Sequence, residues 1–386
     1  MKNTLFTLSL CLLAILTSSA QHEITLQSGV RLPKDTATAR LLRRDLAFLL
    51  EDLQREKPIG NQVNPAQRAA TQLLLDELKE LPKSSKAGEP TYTPYISNII
   101  NLGNQYLIQL LYQGAGTDKP VTRAAVTLLA DKAGDHFVFS SPLQRRTASW
   151  QIHEEGTFRF HHRDPLNKKH LKEFIKRANG YDQKLKVKGT TTFYCAEDMP
   201  ELLYLIGLDY DADYNGRSQS VFGATTDGNK VVVLGNHNTH FDAYDTHDLW
   251  HDRLSMVIDR SLVNRPVDEG IAYAYGGSWG LTWAEIYAEF MTQVAGKSDV
   301  DWTRVKEQPV YFKTKGFNNS ADNIVAALWV NEIEKKYGFD AVWKLLTCGP
   351  VEPGHANFFK TLESITGVRK EDYNTKVWEL VRNGAK

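Results

Sequence analysis

The sequence predicts an α+β protein in two units: an N-terminal helix-plus-antiparallel-sheet domain, then a second α+β domain built around a histidine pair. Three observations carry this. Apolar residues recur at helical spacing over residues 36–53 and 65–81. Short runs rich in β-branched and aromatic residues, separated by Gly, Asp and Lys, follow between Tyr106 and His161. Beyond Asp164, helical and strand-like segments alternate around His247-Asp248-Leu249-Trp250-His251. With 386 residues, 42% hydrophobic and 24% charged, the chain has enough apolar material for two cores. Lys+Arg and Asp+Glu both number 46, so no charge excess points to nucleic acid or an anionic membrane.

Residues 1–20 read as a secretory signal peptide. Lys2 gives a positive start, residues 5–16 are apolar but for Thr7 and Ser9, and Ser18-Ser19-Ala20 offers small residues for a cut between Ala20 and Gln21. The run is short for a bilayer and no later stretch reaches ~20 apolar residues, so a secreted or periplasmic protein without a membrane span is expected. Cys195 and Cys348 remain after cleavage; they could pair in an oxidising compartment or stand as isolated small side chains.

The first domain is expected to run over residues 21–164. Leu41, Leu42, Leu46, Leu49, Leu50 and Leu53 line one face of the helix over 36–53. The helix over 65–81 has Asn64 as its N-cap and Pro65 at its first position. Residues 81–95, with Pro and Ser, read as a connector. Strands are expected at 106–112, 122–129, 136–140, 149–153 and 157–161. His161-His162 face opposite ways on a strand and read as exposed strand-end residues rather than a metal pair.

The second domain is expected over residues 165–386. A Lys-rich amphipathic helix over 166–178 opens it, then a strand at 189–194, a helix at 199–208 and an Asp/Asn/Gly loop at 209–217. A hairpin at 220–223 and 230–234 turns on Thr226-Asp227-Gly228-Asn229. Helices are expected at 283–294 and 323–337.

The histidine pair carries the chemistry. Residues four apart on a helix share a face, so His247 and His251 can bind one metal ion. Eleven histidines in 386 positions give roughly 0.3 such pairs by chance, so the weight lies in the conjunction with Glu269, eighteen positions on. Two imidazoles and a carboxylate with an open fourth position describe a catalytic zinc site. His237 and His240, in the loop entering the helix, read as polar surface residues.

Over residues 187–346 the chain resembles the gluzincin branch of the zincin metallopeptidases, through HDxxH where that family has HExxH and through Glu269-Gly270-Ile271-Ala272-Tyr273. The family also has a strand ahead of the metal-binding helix, forming the edge along which an extended substrate lies. The resemblance implies one Zn²⁺ on His247, His251 and Glu269, a metal-acidified water, and a peptide or protein substrate. It puts Asp248 at the family's general-base position, one methylene short, and equally at the third position of a helix capped by Asp245. Asn318 falls where the family carries a transition-state tyrosine; Tyr273, Tyr275 and Tyr311 are other candidates, with aromatic core packing as the plainer role. The implied function is an exported zinc metallopeptidase; the alternative is a catalytically impaired zincin-fold protein acting as a binding or scaffold module.

Overall fold

The computed structural model describes residues 24–83, 91–116, 119–294, 296–297, 299–308 and 310–383; the expected signal peptide and its cut lie outside them, as do residues 84–90 of the expected connector. The chain is α+β. After a short β1 (Thr25–Leu26), α1 (Thr36–Gln54) starts at Asp35, whose carboxylate accepts from the Ala37 and Thr38 amides. Asn64 caps as expected, but over a 3₁₀ turn (Pro65–Gln67) that leads into α2 (Arg68–Glu80). Both helices bury leucine stripes against a sheet of β2 (Thr93–Asn101), β3 (Gln105–Ala115), β4 (Pro120–Ala133) and β5 (His136–Ser140). Strand β2 begins inside the expected connector, where Pro94 near its start masks the pattern.

A single-turn α3 (Leu143–Arg146) leads to a hairpin, β6 (Gln151–Glu155) and β7 (Phe158–His162). Next come α4 (Lys168–Leu185), β8 (Thr191–Ala196), α5 (Met199–Ile206), β9 (Leu208–Asp211), β10 (Ser220–Thr226) and β11 (Asn229–Gly235). The second sheet has the order β10-β11-β8-β7-β6, with β8 parallel to both its neighbours. Asp227 and Gly228 take φ of 52° and 77° at the β10–β11 turn, which suits a two-residue hairpin loop.

The strand pairing does not divide at residue 164. The β6–β7 hairpin, expected in the first domain, is bonded to β8; β9, expected as loop, is bonded to β4 of the first sheet through Ala124↔Asp211 and Val126↔Leu208. Period-two alternation makes β8 and β11 serve two cores. Tyr194, Ala196 and Val233 pack toward α2 and the first sheet, while Phe193, Cys195, Val232 and Leu234 pack toward the second core. A sheet covered on both faces reads as a nearly continuous apolar run, as β11 does. Cys195 and Cys348 are both free, so the isolated-thiol alternative holds; burial pushes the Cys195 thiol up to about 12.

On the second core lie α6 (Thr246–Leu254), α7 (Arg265–Gly276), α8 (Trp283–Val294) and α9 (Trp302–Glu307). A small hairpin, β12 (Tyr311–Thr314) and β13 (Phe317–Ser320), then precedes α10 (Ala321–Tyr337), α11 (Phe339–Leu346), α12 (Ala356–Thr366) and α13 (Tyr373–Asn383). Helix α4 outruns its expected end at 178 although Gly180 follows. Its last turns hold Tyr181, stacked on Tyr275, and Asp182, which takes bonds of 2.7 and 3.0 Å from the fully buried Arg253. Arg253 also donates to Thr191 at 2.6 Å, so one guanidinium ties the end of α6 to α4 and β8.

Candidate metal centre

Helix α6 is held at both ends before its histidines are considered. Asp245 is its N-cap, accepting from the His247 amide at 2.7 Å and the Asp248 amide at 3.3 Å, which puts Asp248 at the third position. The start of α6 presses against the end of α7. A Cβ on Gly276 would lie 2.3 Å from the Thr246 carbonyl oxygen, so only glycine allows this approach. Gly270 does the same one layer deeper, where a Cβ would meet Ala326 of α10 at 2.6 Å.

This packing brings three donor groups together. His247 Nε2 lies 3.3 Å from Glu269 Oε2, His251 Nε2 lies 3.6 Å from Glu269 Oε1, and the two Nε2 atoms are 3.2 Å apart. One ligand atom from each residue falls within 4.8 Å of the others, the spread of a single coordination sphere. The far ring nitrogens are both engaged. His247 Nδ1 donates to the Gly277 carbonyl at 2.8 Å, and His251 Nδ1 donates to Asp268 Oδ1 at 2.9 Å. Donation from Nδ1 leaves the Nε2 lone pairs facing inward, the tautomer a metal requires.

Asp268 was not singled out in the sequence, where it is simply the residue before Glu269. It is 1% exposed and accepts three hydrogen bonds of 2.9 Å, from His251 and Trp250 Nε1 on Oδ1 and from Arg260 Nε on Oδ2, while Arg260 Nη2 makes an ion-pair contact with Oδ2 at 2.8 Å. Burial opposes its charge, but His251 and Arg260 outweigh it and hold the carboxyl below its usual range. Burial likewise opposes the Glu269 charge, yet the two histidines lower its pKa. At His247 burial pulls down, while Glu269 and the Gly277 carbonyl pull up and prevail. The donor set therefore fits a divalent cation: an ionised carboxylate and two oriented imidazoles.

The centre sits between two openings. A groove of about 500 Å³ runs between β10–β11 and α6, and includes Val221, Asp248, His251 and Arg260. The strand directly before α6, β11, is paired on both sides; the sheet's outer strand here is β10, with no second strand partner among the described residues. On the other side a hollow of about 570 Å³ is lined by His247, Glu269, Tyr273, Tyr311 and Asn318, among others. Asp248 and Asn318 are thus both exposed, on opposite sides of the donors. Tyr273 is buried beside the centre, its ring 5.4 Å from that of His247 and its hydroxyl donating to Asn319 at 3.1 Å. Tyr275 belongs to the core, donating to Glu334 at 2.5 Å. Tyr311 is 63% exposed on the hollow's rim, so core packing does not describe it.

His237 and His240 stay outside the centre: His237 lies 3.3 Å from Glu197, and His240 Nδ1 donates to the Pro165 carbonyl at 2.8 Å. His161 and His162 are a correction. Neither is an exposed strand-end residue: His162 is buried, and His161 stacks on Tyr194 at 4.4 Å across the β7–β8 pairing. His161 faces a separate cavity of about 540 Å³ between α2 and the reverse side of the second sheet, whose lining includes none of the donor trio. No protein-family model matches the chain, and no curated protein or solved structure matches it.

Proposed function

We propose that this chain is an exported zinc-dependent metallopeptidase of gluzincin type. The observation that supports the reading most is the convergence of His247, His251 and Glu269, with each imidazole held through its far nitrogen. These three residues would hold the metal, and a zinc ion bound there supplies Lewis acidity and a water acidic enough to lose its proton near neutral pH. Asp268 and the Gly277 carbonyl keep the imidazoles oriented, and Arg260 balances the charge on Asp268 and Glu269. Asp248 is the residue assigned to accept the proton, from the groove side. A carboxylate there needs hydrogen-bond reach of ~2.6–3.2 Å, which the shorter Asp side chain strains to supply. Asn318, on the hollow side, is the side-chain donor assigned to a developing oxyanion; the Tyr273 hydroxyl, also on that side, donates to Asn319.

A second reading, a zincin-fold protein that keeps its metal but serves as a binding or scaffold module, is favoured by one observation. Asp248 serves the helix start at the third position, a sufficient role for an acid there without catalysis. Metal analysis of the purified protein, followed by digestion of a peptide library with and without Zn²⁺, separates the readings. Stoichiometric zinc with metal-dependent cleavage is expected; stoichiometric zinc without cleavage favours the module, and absence of bound metal after reloading and desalting removes both.

A further inference from the structure

The hollow beside the centre is lined by an exposed cation that has no charge partner among the described residues. Arg265 is the first residue of α7 and lines the hollow with His247 and Glu269, yet it has no ion pair or hydrogen bond among the described residues. Its position makes that notable. The first turn of a twelve-residue helix is the positive end of the dipole, where a cation is disfavoured. The partners that helical spacing offers, Asp268 and Glu269 three and four residues on, are occupied instead by Arg260 and the two histidines. The hollow's other cation, Lys306, is buried and held by Asp322 at 3.1 Å. Among the lining residues Arg265 and Lys306 therefore face Asp322 and Glu269, and a divalent ion on Glu269 would leave the hollow with a positive excess of two.

Its rim is built for an organic ligand. Trp279 and Tyr311 are 58% and 63% exposed. Trp279 has φ of 54°, a left-handed backbone rarely adopted by a bulky residue, and lies stacked on Phe317 with ring centroids 5.4 Å apart. The same loop supplies the Gly277 carbonyl that orients His247. Exposed aromatics around a charged hollow mark a binding surface rather than a solvated one.

We propose that Arg265 is a specificity-determining residue that binds a substrate carboxylate, and that the hollow takes the end of a peptide whose side chains pack on Trp279 and Tyr311. This rests on the metallopeptidase reading. The spacing fits: Arg265 and Glu269 are four residues apart, ~6 Å along the helix, and an extended peptide advances ~3.3 Å per residue. The carboxylate thus belongs one or two residues beyond the bond at the centre. It can be a chain's own C-terminal carboxylate or the side chain of Asp or Glu, and the two call for the same guanidinium.

The test measures binding on the full-length zinc-loaded protein, so turnover is not required. Three fluorescein-labelled phosphinic peptides with a Phe beyond the phosphinic group are compared by anisotropy: one with a free C-terminal carboxylate, one amidated, and one amidated with Glu as the next residue. The free-carboxylate or the Glu form is expected to bind roughly 10- to 100-fold tighter than the neutral amide, the range of a charge-assisted bond. Which of the two does so identifies the source. Arg265→Ala should bring that ratio close to one, and Arg265→Lys should retain part of it; a structural role would not discriminate among ligands in this way. A ratio near one in the wild type, a ratio unchanged in Arg265→Ala, or no binding of any form would overturn the proposal. The metallopeptidase reading fails separately, as absence of cleavage of the parent amide-linked peptides with the binding ratio intact.

Discussion

Asp268→Asn is the substitution that most directly tests how the centre is held. The carboxylate accepts from His251 and Trp250 on one oxygen and from Arg260 Nε on the other, with Arg260 Nη2 in ion-pair contact, while 1% exposed. An amide of the same shape has one oxygen for two sets of donors. If the oxygen serves His251 and Trp250, the amide nitrogen meets the Arg260 N–H groups; if it is flipped, the nitrogen meets the two rings. Either way donors face donors. A hydrogen bond to a charged group contributes about 1.5–3 kcal/mol, and the Arg260 side, with that side chain 38% exposed, recovers part of its loss through water. The apo protein should therefore lose about 2–3 kcal/mol in denaturant unfolding. Zinc affinity should fall by 10- to 100-fold, because His251 Nδ1–H either loses its acceptor or keeps only a neutral amide oxygen in place of a carboxylate. Competition with a chromogenic chelator at constant pH gives the affinity, and far-UV circular dichroism confirms that the variant is folded. Wild-type zinc affinity in a folded Asp268→Asn protein would refute the argument that the carboxylate orients the ligand.

His247→Ala and His251→Ala should each abolish stoichiometric zinc in metal analysis, while His237→Ala should leave it in place, since His237 faces Glu197 outside the donor trio. Asp248→Glu, which restores the methylene, should raise peptide hydrolysis at equal zinc occupancy, and Asp248→Asn should remove it. Proton transfer by a positioned base is worth roughly 10²–10⁴-fold, so equal turnover in wild type and Asp248→Asn would take Asp248 out of the reaction. His161 governs an acid-side loss of stability. Burial first, then the nearby Arg159, pulls its pKa from 6.5 to about 4, so the unfolded chain takes up a proton that the folded chain refuses between those values. Stability should fall as pH drops through that window and level off below it. The loss should be about 1–2 kcal/mol, less than the full shift implies because the ring is only half buried. His161→Phe, which keeps a ring on Tyr194, should flatten that part of the pH profile in urea unfolding; an unchanged slope would count against it.

The periodic and punctuated parts of the chain were legible in the sequence. Strand His136–Ser140 and helix Trp283–Val294 lie where their patterns put them, and the three donors of the centre were all named. What the sequence concealed falls into kinds. Strand β2 hides behind Pro94, and α4 continues past Gly180 because tertiary partners at Tyr181 and Asp182 override a local stop signal. Asp268 resembles any acid in a helix's first turn until the fold brings Trp250, His251 and Arg260 around it. The Gly277 carbonyl has no residue type to announce it. The exchange of β9 and the β6–β7 hairpin between sheets is set by long-range pairing, which no local window contains.

That exchange bears on the order in which the protein can be completed during synthesis. A chain made from its N-terminus can assemble β2–β5 and lay α1 and α2 over them, but the outer rim of β4 at Ala124, Ala125 and Val126 has no neighbour until Asp211 has been made. Arg123 waits equally long, buried in the finished protein and paired with Asp211 and Asp213. Through that interval an open strand rim and an uncompensated cation stand exposed, inviting pairing with another chain. A truncation at residue 164 would make the interval permanent, so a fragment designed on the apparent halves of this chain should aggregate.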